Sequence, residues 1–328
     1  MKPRLAWVLG DPAGIGPELV AKSLGNAELL GICRPVVVGP TWVFEQGKQV
    51  AKSEISPVRT TPDRLDAVTG AIPIVDSGWP VQDIPYGKMN PAAGALCIEM
   101  LRTAIDMAKS KRVDGIVFAP LNKEALHKGG NPHRDELHLF ADWLGDTYVS
   151  EINAAAGLFT TRVTSHVPLK DVAGLINADT VVRAVQLLHR TLSDGGEPPT
   201  VAVAALNPHG GEHGLCGDEE QTIIGPAVAK AQALGIPAVG PFPADTIFLR
   251  AKRGEFHGIV TMYHDQGQVA TKLLGFDRGV TIQGGLSVVT TTPAHGTAFD
   301  IAGQGRANTG AFEQAVKIAA RMSAAKSR

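Results

Sequence analysis

Short apolar runs recur along the chain, each closed by a glycine- or proline-rich turn and followed by a stretch with helical spacing of its apolar residues. Such runs predict buried β-strands, and the helical spacing predicts amphipathic helices. The predicted strands are 5–9, 35–39, 72–76, 115–119, 158–165, 200–206, 258–262, 279–283 and 286–291. The predicted helices are 92–111, 137–144, 179–192, 218–234 and 310–325. Strands that alternate with helices, without hairpin signals, predict an α/β fold with a mostly parallel sheet.

The length of the chain predicts more than one domain. At 328 residues it exceeds the size that one small core organises, so two domains are expected. The Gly129-Gly130 pair interrupts the pattern after the fourth predicted strand and marks the predicted first crossing between domains. We therefore predict a first α/β domain at 1–128 plus 285–328 and a second at 129–284.

The charge and cysteine content narrow the class of protein. Lysine and arginine total 31 and aspartate and glutamate total 32, so no excess of positive charge indicates nucleic acid or a membrane surface as a partner. The three cysteines lack paired spacing, which favours a reducing compartment over a disulfide framework. No apolar run has the length of a signal peptide or a membrane span. We expect a cytoplasmic protein.

Three histidines share one context, because each follows a predicted strand directly or by a few residues. They are His166, His209 and His264. The carboxyl ends of parallel strands lie at one edge of a sheet, so these imidazoles are expected to converge. Three imidazoles with an open position are typical of a catalytic divalent metal, with zinc the expected ion and Mg, Mn, Co or Fe as alternatives. The competing interpretation is that each is an isolated loop or capping histidine.

Other polar residues near these histidines are candidates for catalysis. Asp265 follows His264 directly, and a carboxylate beside a metal-bound imidazole fixes its tautomer. Asp245 follows a short connection in the same half of the chain. Lys272 would act as acid or base if a metal and desolvation lowered its pKa, although it also fits a solvated lysine on a helix.

Two glycine-containing segments are candidates for cofactor binding. The turn 10–18, which includes Gly14, joins a strand to a helix, a geometry that presents backbone N–H groups to an anion; a tight turn without a ligand explains it equally well. The segment 294–308 combines an imidazole, glycines, a carboxylate and an amide, and it also fits a structural loop before the last helix. A carboxylate there can accept a ribose 2′-OH, which favours NAD over NADP. The cofactor candidates in this segment are His295, Gly296, Thr297, Ala298, Asp300 and Asn308.

The run His133-Arg134-Asp135-Glu136 precedes a predicted helix and permits two interpretations. Its charges fit a solvated helix cap, which the sequence alone favours. They also fit a substrate clamp, because arginine binds carboxylates through two parallel hydrogen bonds.

Six motifs, in order over nearly the whole chain, resemble the 4-hydroxythreonine-4-phosphate dehydrogenase family of vitamin B6 biosynthesis. They are GDPAGIGPE, SHVPL, LNPHGGEHG, PADT, YHDQG and HGTAFDIAGQGRAN. The first and last also resemble the wider isocitrate/isopropylmalate dehydrogenase-like fold. The resemblance implies two α/β/α domains around a cleft, and a homodimer whose active sites both subunits line. It also implies a metal on the three histidines, NAD(P) at 295–308, and oxidation of a hydroxy acid followed by loss of CO2.

Several positions depart from the family pattern. The run 133–136 stands where the family has Gly-His-Thr-Glu, Thr281 replaces an asparagine, and Thr290 replaces an arginine, whereas Lys272 is kept. Losing an arginine removes charge-assisted bonds to a phosphate. We therefore predict a non-phosphorylated substrate, for example a cis-dihydrodiol dicarboxylate of the terephthalate type, held by Arg134, Asp135, Lys272, Thr281 and Thr290. The alternatives are the B6-pathway enzyme itself and a non-catalytic metal- or nucleotide-binding protein.

Overall fold

The computed structural model describes residues 2–193 and 199–326. The strands, in chain order, are β1 (Arg4–Val8), β2 (Arg34–Val38), β3 (Val58–Thr60), β4 (Pro73–Val75), β5 (Gly115–Phe118), β6 (Ser150–Ala155), β7 (Leu158–Arg162), β8 (Val201–Ala204), β9 (Ala238–Phe242), β10 (Gly258–Thr261), β11 (Val280–Gly284) and β12 (Val289–Pro293).

The α-helices, in chain order, are α1 (Gly16–Ser23), α2 (Ala27–Ile32), α3 (Thr41–Ala51), α4 (Pro91–Lys109), α5 (Lys123–Lys128), α6 (Glu136–Leu144), α7 (Val172–Leu175), α8 (Ala178–Ser193), α9 (Gly225–Ala233), α10 (Ala244–Lys252), α11 (His264–Gly275) and α12 (Gly310–Lys326). Short 3-10 segments occupy Pro62–Ala67, Leu169–Asp171, Pro208–Gly211 and Phe276–Arg278, and a π-helical segment occupies Glu220–Ile224. Among the described residues, no helix is both long and apolar enough to cross a membrane.

The chain divides into two compact units whose boundaries differ from the predicted ones. Unit 1 is Met1–Val149 with Val280–Arg328, and unit 2 is Ser150–Gly279. The first crossing lies beyond Gly129-Gly130 because α6 packs on unit 1, where Phe140 meets Phe118 edge-on at 5.6 Å between ring centroids. The second crossing precedes β11, because β11 pairs with β12 of the same unit.

Unit 1 is built on strands in the order β3-β4-β2-β1-β5-β12-β11. The pairs are parallel except for β11 with β12, which agrees with the predicted mostly parallel sheet. The central strand β1 is buried and apolar, as expected where helices cover both faces of a sheet. Trp7 on this strand packs edge-on against Phe312 of α12, with ring centroids 5.5 Å apart.

Unit 2 has strands in the order β6-β7-β10-β8-β9. β6 and β7 form an antiparallel hairpin that the sequence analysis missed, whereas β7, β10, β8 and β9 are parallel. The hairpin turns through Ala156 (φ 50°) and Gly157 (φ 83°). The turn sequence Ala-Gly lacks the Asn-Gly signal of tight hairpins, and an alanine at positive φ is uncommon. The neighbouring order β7-β10-β8 brings the carboxyl ends of these three strands to one edge.

Candidate metal and cofactor sites

Each candidate metal ligand follows one of three adjacent parallel strands in unit 2. His166 follows β7, His264 is the first residue of α11 after β10, and His209 lies in the turn Pro208–Gly211 after β8. The ring centroids of His166 and His264 are 5.4 Å apart. The edge therefore brings two of the three predicted imidazoles together.

A cavity of about 530 Å³ opens beside this pair, within unit 2. Both imidazoles line it, together with Thr164, Val167, Leu169, Val172, Tyr263 and Asp265. His166 is exposed, and the side chain of His264 is 36 % exposed. The cavity therefore offers imidazole nitrogens to a ligand from walls that are partly apolar.

The backbone at two of the histidines is held in a rare conformation. His166 and His209 both have a φ of 54°, in the left-handed region that costs a residue with a side chain about 1 kcal/mol or more. The turn at His166 is fixed by Thr164, whose backbone N–H and hydroxyl donate to the Met262 carbonyl at 3.1 and 2.8 Å. Such strain persists where the surroundings impose it, and it concentrates at functional sites.

Asp265 supports the imidazole of its neighbour. Its Oδ1 lies 2.6 Å from Nδ1 of His264, which is the contact predicted from the sequence. A carboxylate on one ring nitrogen directs the proton to that nitrogen and leaves Nε2 as a metal donor. The imidazole pair and its carboxylate fit a divalent ion of the zinc type. No group of three or more potential ligands is assembled within residues 2–193 and 199–326, so His209 as the third ligand stays a prediction.

Asp245 and Lys272, the other catalytic candidates of unit 2, do not line the cavity. Asp245 is exposed in the first turn of α10. This helix packs near the turn that carries His209: the Pro243 ring lies 3.8 Å from the point where a Cβ on Gly210 would stand. Lys272 is exposed in the last turn of α11, the helix that His264 begins. Their catalytic roles stay predictions.

In unit 1, the segment 294–308 is fixed by the first strand-to-helix turn. The N–H of Ile15 donates to the Thr297 carbonyl at 3.1 Å, and a Cβ on Gly14 would lie 2.8 Å from Cβ of Thr297. Glu18 accepts the N–H of Ala307 at 2.9 Å, and Lys22 bonds Glu18 at 2.6 Å. The glycine at position 14 is thus needed for close contact between the two segments.

Hydrogen bonds within this turn favour the alternative of a tight turn without a ligand, and an anion site here stays a prediction. The N–H of Gly14 donates to the Asp11 carbonyl, and the N–H of Ala13 donates to the Asp11 side chain at 2.8 Å. The turn is buried, so these donors do not face a ligand. Gly14 therefore supports the segment 294–308 by close packing. The backbone of Gly14 itself fits the alternative of a tight turn without a ligand.

The candidate cofactor residues differ in exposure. Thr297 is buried; His295 and Ala298 are half-buried; Gly296, Asp300 and Asn308 are exposed. Asn308 also accepts the N–H of Gly310 at 2.8 Å at the start of α12. The carboxylate of Asp300, the predicted acceptor of a ribose hydroxyl, is exposed. Cofactor contacts of these residues stay predictions.

Asp11 is a buried titratable group that the sequence analysis did not single out. Its side chain is 0 % exposed, and burial raises its pKa to about 6, although the bond from Ala13 opposes the rise. Its Oδ2 has no hydrogen-bond partner among the described residues. The position after β1 was visible in the sequence, but its burial depends on contacts from distant segments.

The candidate substrate residues of unit 1 have largely structural surroundings. Asp135 caps α6 by accepting the N–H of His138 at 3.0 Å, as the favoured capping interpretation predicts. Burial alone would raise the pKa of Asp135, but its hydrogen bonds with His138, helped by nearby positive charge, lower it. Arg134 is exposed, and its Nε lies 3.4 Å from Asp135.

Thr281 and Thr290 are buried in strands. Thr290, on β12, is 1 % exposed, its hydroxyl donates to the Val288 carbonyl at 3.2 Å, and its backbone lies in register with Ile116 of β5. Thr281, on β11, is 9 % exposed. The Thr290 hydroxyl is therefore engaged within the protein, and substrate contacts of Thr281 and Thr290 stay predictions.

Comparison with known proteins places this chain in a family. The family model described as "Pyridoxal phosphate biosynthetic protein PdxA" matches residues 31–319. The chain therefore belongs to the PdxA family, as its motifs indicated. It also shares its fold with a β-decarboxylating dehydrogenase from Thermococcus kodakarensis, at a TM-score of 0.52 and 14 % identity, which confirms the predicted isocitrate/isopropylmalate dehydrogenase-like fold class.

Individual relatives match almost end to end. The chain is 46 % identical to a putative 4-hydroxythreonine-4-phosphate dehydrogenase 2 of Pseudomonas aeruginosa, covering 98 % of the chain and 97 % of the relative. It is 38 % identical to a D-threonate 4-phosphate dehydrogenase of Cupriavidus necator, with the same coverage. The crystal structure of a Klebsiella pneumoniae 4-hydroxythreonine-4-phosphate dehydrogenase matches with a TM-score of 0.87 and 34 % identity, covering 98 % of each chain.

These relatives overturn the prediction of a non-phosphorylated substrate. A terephthalate 1,2-cis-dihydrodiol dehydrogenase of Burkholderia xenovorans is more distant, with a TM-score of 0.68 and 25 % identity over 97 % of this chain and 98 % of the other. The prediction of a dihydrodiol dicarboxylate is therefore wrong. It relied on Thr281 and Thr290 as pocket residues, and both side chains are buried in strands.

Proposed function

We propose that the chain catalyses the NAD-linked oxidation of a four-carbon hydroxy acid 4-phosphate, either 4-hydroxythreonine 4-phosphate or D-threonate 4-phosphate. The observation that carries this proposal is the near full-length identity to relatives named for these two phosphates. The two molecules share a carboxylate, a C3 hydroxyl and a terminal phosphate, and differ at C2 in an amino group or a hydroxyl. NADP is the alternative cofactor.

The imidazoles of His166 and His264, with His209 as the third ligand, would hold a divalent ion, and zinc is the expected one. Such an ion polarises a bound hydroxyl and the carbonyl that forms from it. Asp265 keeps the proton of His264 on Nδ1, so that Nε2 can bind the metal. The adjacency of the two rings, at 5.4 Å, supports this assignment.

When bound, the dinucleotide would accept a hydride from C3, and the proton of the C3 hydroxyl would pass to a base of the chain. The product carries a ketone at the β position to its carboxylate, so the C1–C2 bond can break to release CO2, after which C2 takes up a proton. We assign proton transfer to Lys272, with Asp245 as the second candidate, since both are exposed and titratable on helices of unit 2.

The dinucleotide is assigned to the segment 294–308. The exposed carboxylate of Asp300 would accept the ribose 2′-OH, and its negative charge would repel the 2′-phosphate of NADP. His295, Gly296, Thr297, Ala298 and Asn308 would complete the contacts. The fixed position of Thr297 against Ile15 supports a preformed site.

The phosphate is assigned to the start of α6. Arg134 is exposed, and its Nε lies 3.4 Å from Oδ2 of Asp135. The amino end of a helix also carries a partial positive charge that favours an anion. Asp135 would orient this arginine and leave its terminal nitrogens for phosphate oxygens.

Assembly as a homodimer is part of the proposal. On α11, Val269 and Leu273 stand one turn apart and are 59 % and 84 % exposed. Adjacent exposed apolar side chains mark surfaces that bind other proteins, and a second copy of the chain is the commonest such partner. Light scattering after size-exclusion chromatography would give the mass, and a monomer at micromolar concentration would contradict the dimer.

The test of function compares phosphorylated and unphosphorylated substrates. NADH formation would be followed with D-threonate 4-phosphate, 4-hydroxythreonine 4-phosphate and their dephosphorylated forms, with Zn2+ or Mg2+ supplied. We expect kcat/KM to be about 100-fold higher with a phosphate, because each charge-assisted bond is worth about 1.5–3 kcal/mol. Equal values with and without the phosphate would overturn the proposal.

Two controls make the assay specific. His166→Ala should abolish NADH formation, whereas His127→Ala, on α5 of unit 1, should leave it unchanged. The amount of CO2 released should equal the amount of NADH formed. NADH formation without CO2 release would support the dehydrogenase activity and contradict the decarboxylation.

A further inference from the structure

A buried carboxylate lies beneath the turn that carries His209. Glu220 is 5 % exposed, and its Oε1 accepts the backbone N–H groups of Leu206 and Asn207 at 2.7 and 2.8 Å. These two N–H groups follow β8, where the sheet ladder ends. The glutamate therefore continues the hydrogen bonding of the strand and sets the direction in which the chain leaves it.

The side chain of Asn207 ties the beginning of the turn to its end. Its Nδ2 donates to Oε2 of Glu220 at 3.0 Å and to Oε2 of Glu219 at 2.6 Å. At the far end of the turn, a Cβ on Gly217 would lie 2.4 Å from the same Nδ2. The amide is thus enclosed between the carboxylates and the returning backbone.

The turn is held by local backbone bonds rather than by a sheet: the N–H of Gly210 donates to the Asn207 carbonyl at 3.2 Å, and Gly214 and Gly217 form an isolated bridge. His209, Gly210, Gly211, Glu212, His213 and Gly214 all have positive φ. Gly211 is also packed tightly, because a Cβ there would lie 2.7 Å from Oε2 of Glu220. A run of left-handed residues that includes three with side chains is costly, so it depends on contacts such as these.

The helical segment that follows the turn orients the side chain of Glu220. Glu220–Ile224 is π-helical, and the N–H of Gly225 donates to the Glu220 carbonyl. A Cβ on Gly225 would lie 2.8 Å from that carbonyl oxygen. π-Helical turns insert one residue into a helix and often occur at functional sites. This turn places the buried carboxylate under Asn207.

We propose that Glu220 is a positioning residue that fixes the turn carrying His209, so that its imidazole joins those of His166 and His264 around the metal. This inference rests on the metal assignment of the proposed function. Glu220 does not bind the metal; it acts through Leu206 and Asn207, which immediately precede the turn.

Glu220→Gln tests this role with little change in volume. The amide can still accept the backbone N–H groups, but its –NH2 group would oppose Nδ2 of Asn207. We expect the Zn2+ affinity of the metal-free protein, measured by titration calorimetry, to fall about 10–100-fold, as for other groups that orient ligands. The visible spectrum of the Co2+ form should shift as His209 leaves the ligand set. Unchanged affinity and spectrum would overturn the proposal.

Glu219→Gln is the matched control. Glu219 accepts from the same Asn207 amide, whereas within the described residues the Leu206 and Asn207 N–H groups donate to Glu220. Its substitution should change Zn2+ affinity less than about threefold, since both backbone contacts of Glu220 remain. A loss equal to that of Glu220→Gln would assign the effect to charge near the turn and would overturn the positioning role.

The double variant His209→Ala/Glu220→Gln separates positioning from general stability. If Glu220 acts only through His209, it should bind Zn2+ as weakly as His209→Ala alone. Additive losses would overturn the positioning role. Wild-type affinity in His209→Ala alone would instead remove His209 from the proposed metal site, which is a failure of the proposed function.

A second variant tests the same role of Glu220 without requiring that Glu220→Gln folds. Gly217→Ala keeps both carboxylates but sets a Cβ against the Asn207 amide. It should lower Zn2+ affinity by a similar factor, whereas Gly235→Ala, also at positive φ but with open space around it, should not. Equal Zn2+ affinity in the two variants would contradict the proposal.

Discussion

The two candidate sites are built in opposite ways. In unit 1, the segment 294–308 is held by buried contacts within the protein, in which Ile15, Glu18 and Lys22 bond its backbone. In unit 2, His166 and His264 stand at strand ends with their imidazoles facing a cavity. Glycine provides the close approach in unit 1, whereas histidines themselves adopt left-handed backbone in unit 2.

This difference predicts which property, stability or ligand binding, a substitution in each unit should change. Of the side chains that fix the segment 294–308, Glu18 is buried and Lys22 is partly buried, so their loss should reduce stability as well as cofactor binding. The imidazoles of unit 2 are exposed, so their loss should reduce ligand binding with little effect on folding. The comparison would be contradicted if imidazole variants of unit 2 lost stability while variants of the segment 294–308 in unit 1 lost cofactor binding alone.

The largest effect is expected from His264→Ala. Loss of one imidazole from the strand edge should lower Zn2+ affinity by more than about 100-fold, because even groups that only orient ligands contribute 10–100-fold. NADH formation should be lost, while the melting temperature of the metal-free protein should change little. Calorimetric titration and thermal unfolding measure the two quantities. Full metal occupancy in this variant would remove His264 from the ligands.

The strand-edge histidines are the part of the site that sequence reasoning could find. Their position after strands follows from local pattern, and parallel pairing then brings strand ends together. The hairpin β6–β7 escaped because Ala156-Gly157 carries no strong turn signal. The roles of Asp11 and Glu220 could not be predicted, since their burial depends on contacts made after folding.

Positions at which the chain departs from the family pattern were the least reliable guide to its substrate. Replacement of a family arginine by Thr290 suggested a changed pocket, but a residue's identity does not reveal which way its side chain faces. Thr290 lies on β12, which β5 and β11 flank in the sheet, and it is 1 % exposed. By contrast, Asp135 was predicted as a cap from its place before an apolar helix, a local signal, and it is one.

The next largest effect concerns Asp11 in unit 1. Its pKa is raised from 3.8 to about 6 by burial, so the folded protein holds a proton that the unfolded chain releases at lower pH. Its stabilising contribution is complete below pH 4 and is lost as the pH rises through 6, a difference of up to about 3 kcal/mol. Asp11→Asn should therefore raise stability at pH 7.5, measured by urea unfolding.

Asp76 provides the opposite control in the same unit. Burial alone would raise its pKa, but bonds from Thr41 and Gly78 lower it below the ordinary value. Its contribution is therefore present at neutral pH and is lost as the pH falls through the folded pKa. Asp76→Asn should destabilise at pH 7.5. If both variants shifted stability in the same direction, the assignment of a raised pKa to Asp11 would fail.

A smaller effect is expected from Gly14→Ala, because its Cβ would meet Thr297 at 2.8 Å. Overpacking of this kind costs about 1–3 kcal/mol and should displace the segment 294–308. NADH affinity, from fluorescence titration, should fall several-fold while Zn2+ affinity stays the same. Gly31→Ala, on α2 with open space around it, should instead stabilise slightly. An unchanged NADH affinity in Gly14→Ala would separate the turn from the cofactor segment.

The smallest effect should follow Asp300→Asn, which changes charge at an exposed position of the same segment. Asparagine can still accept the ribose hydroxyl but without the charge, which costs about 1 kcal/mol, so the KM for NAD should rise about fivefold, and that for NADP should fall as repulsion is removed. The melting temperature should not change, because the side chain is exposed. Asp106→Asn, an exposed aspartate on α4, is the matched control for charge and should leave both KM values unchanged. If Asp300→Asn lowered stability without altering cofactor preference, this carboxylate would belong with the buried contacts of unit 1 that hold the segment, and the dinucleotide would need another acceptor.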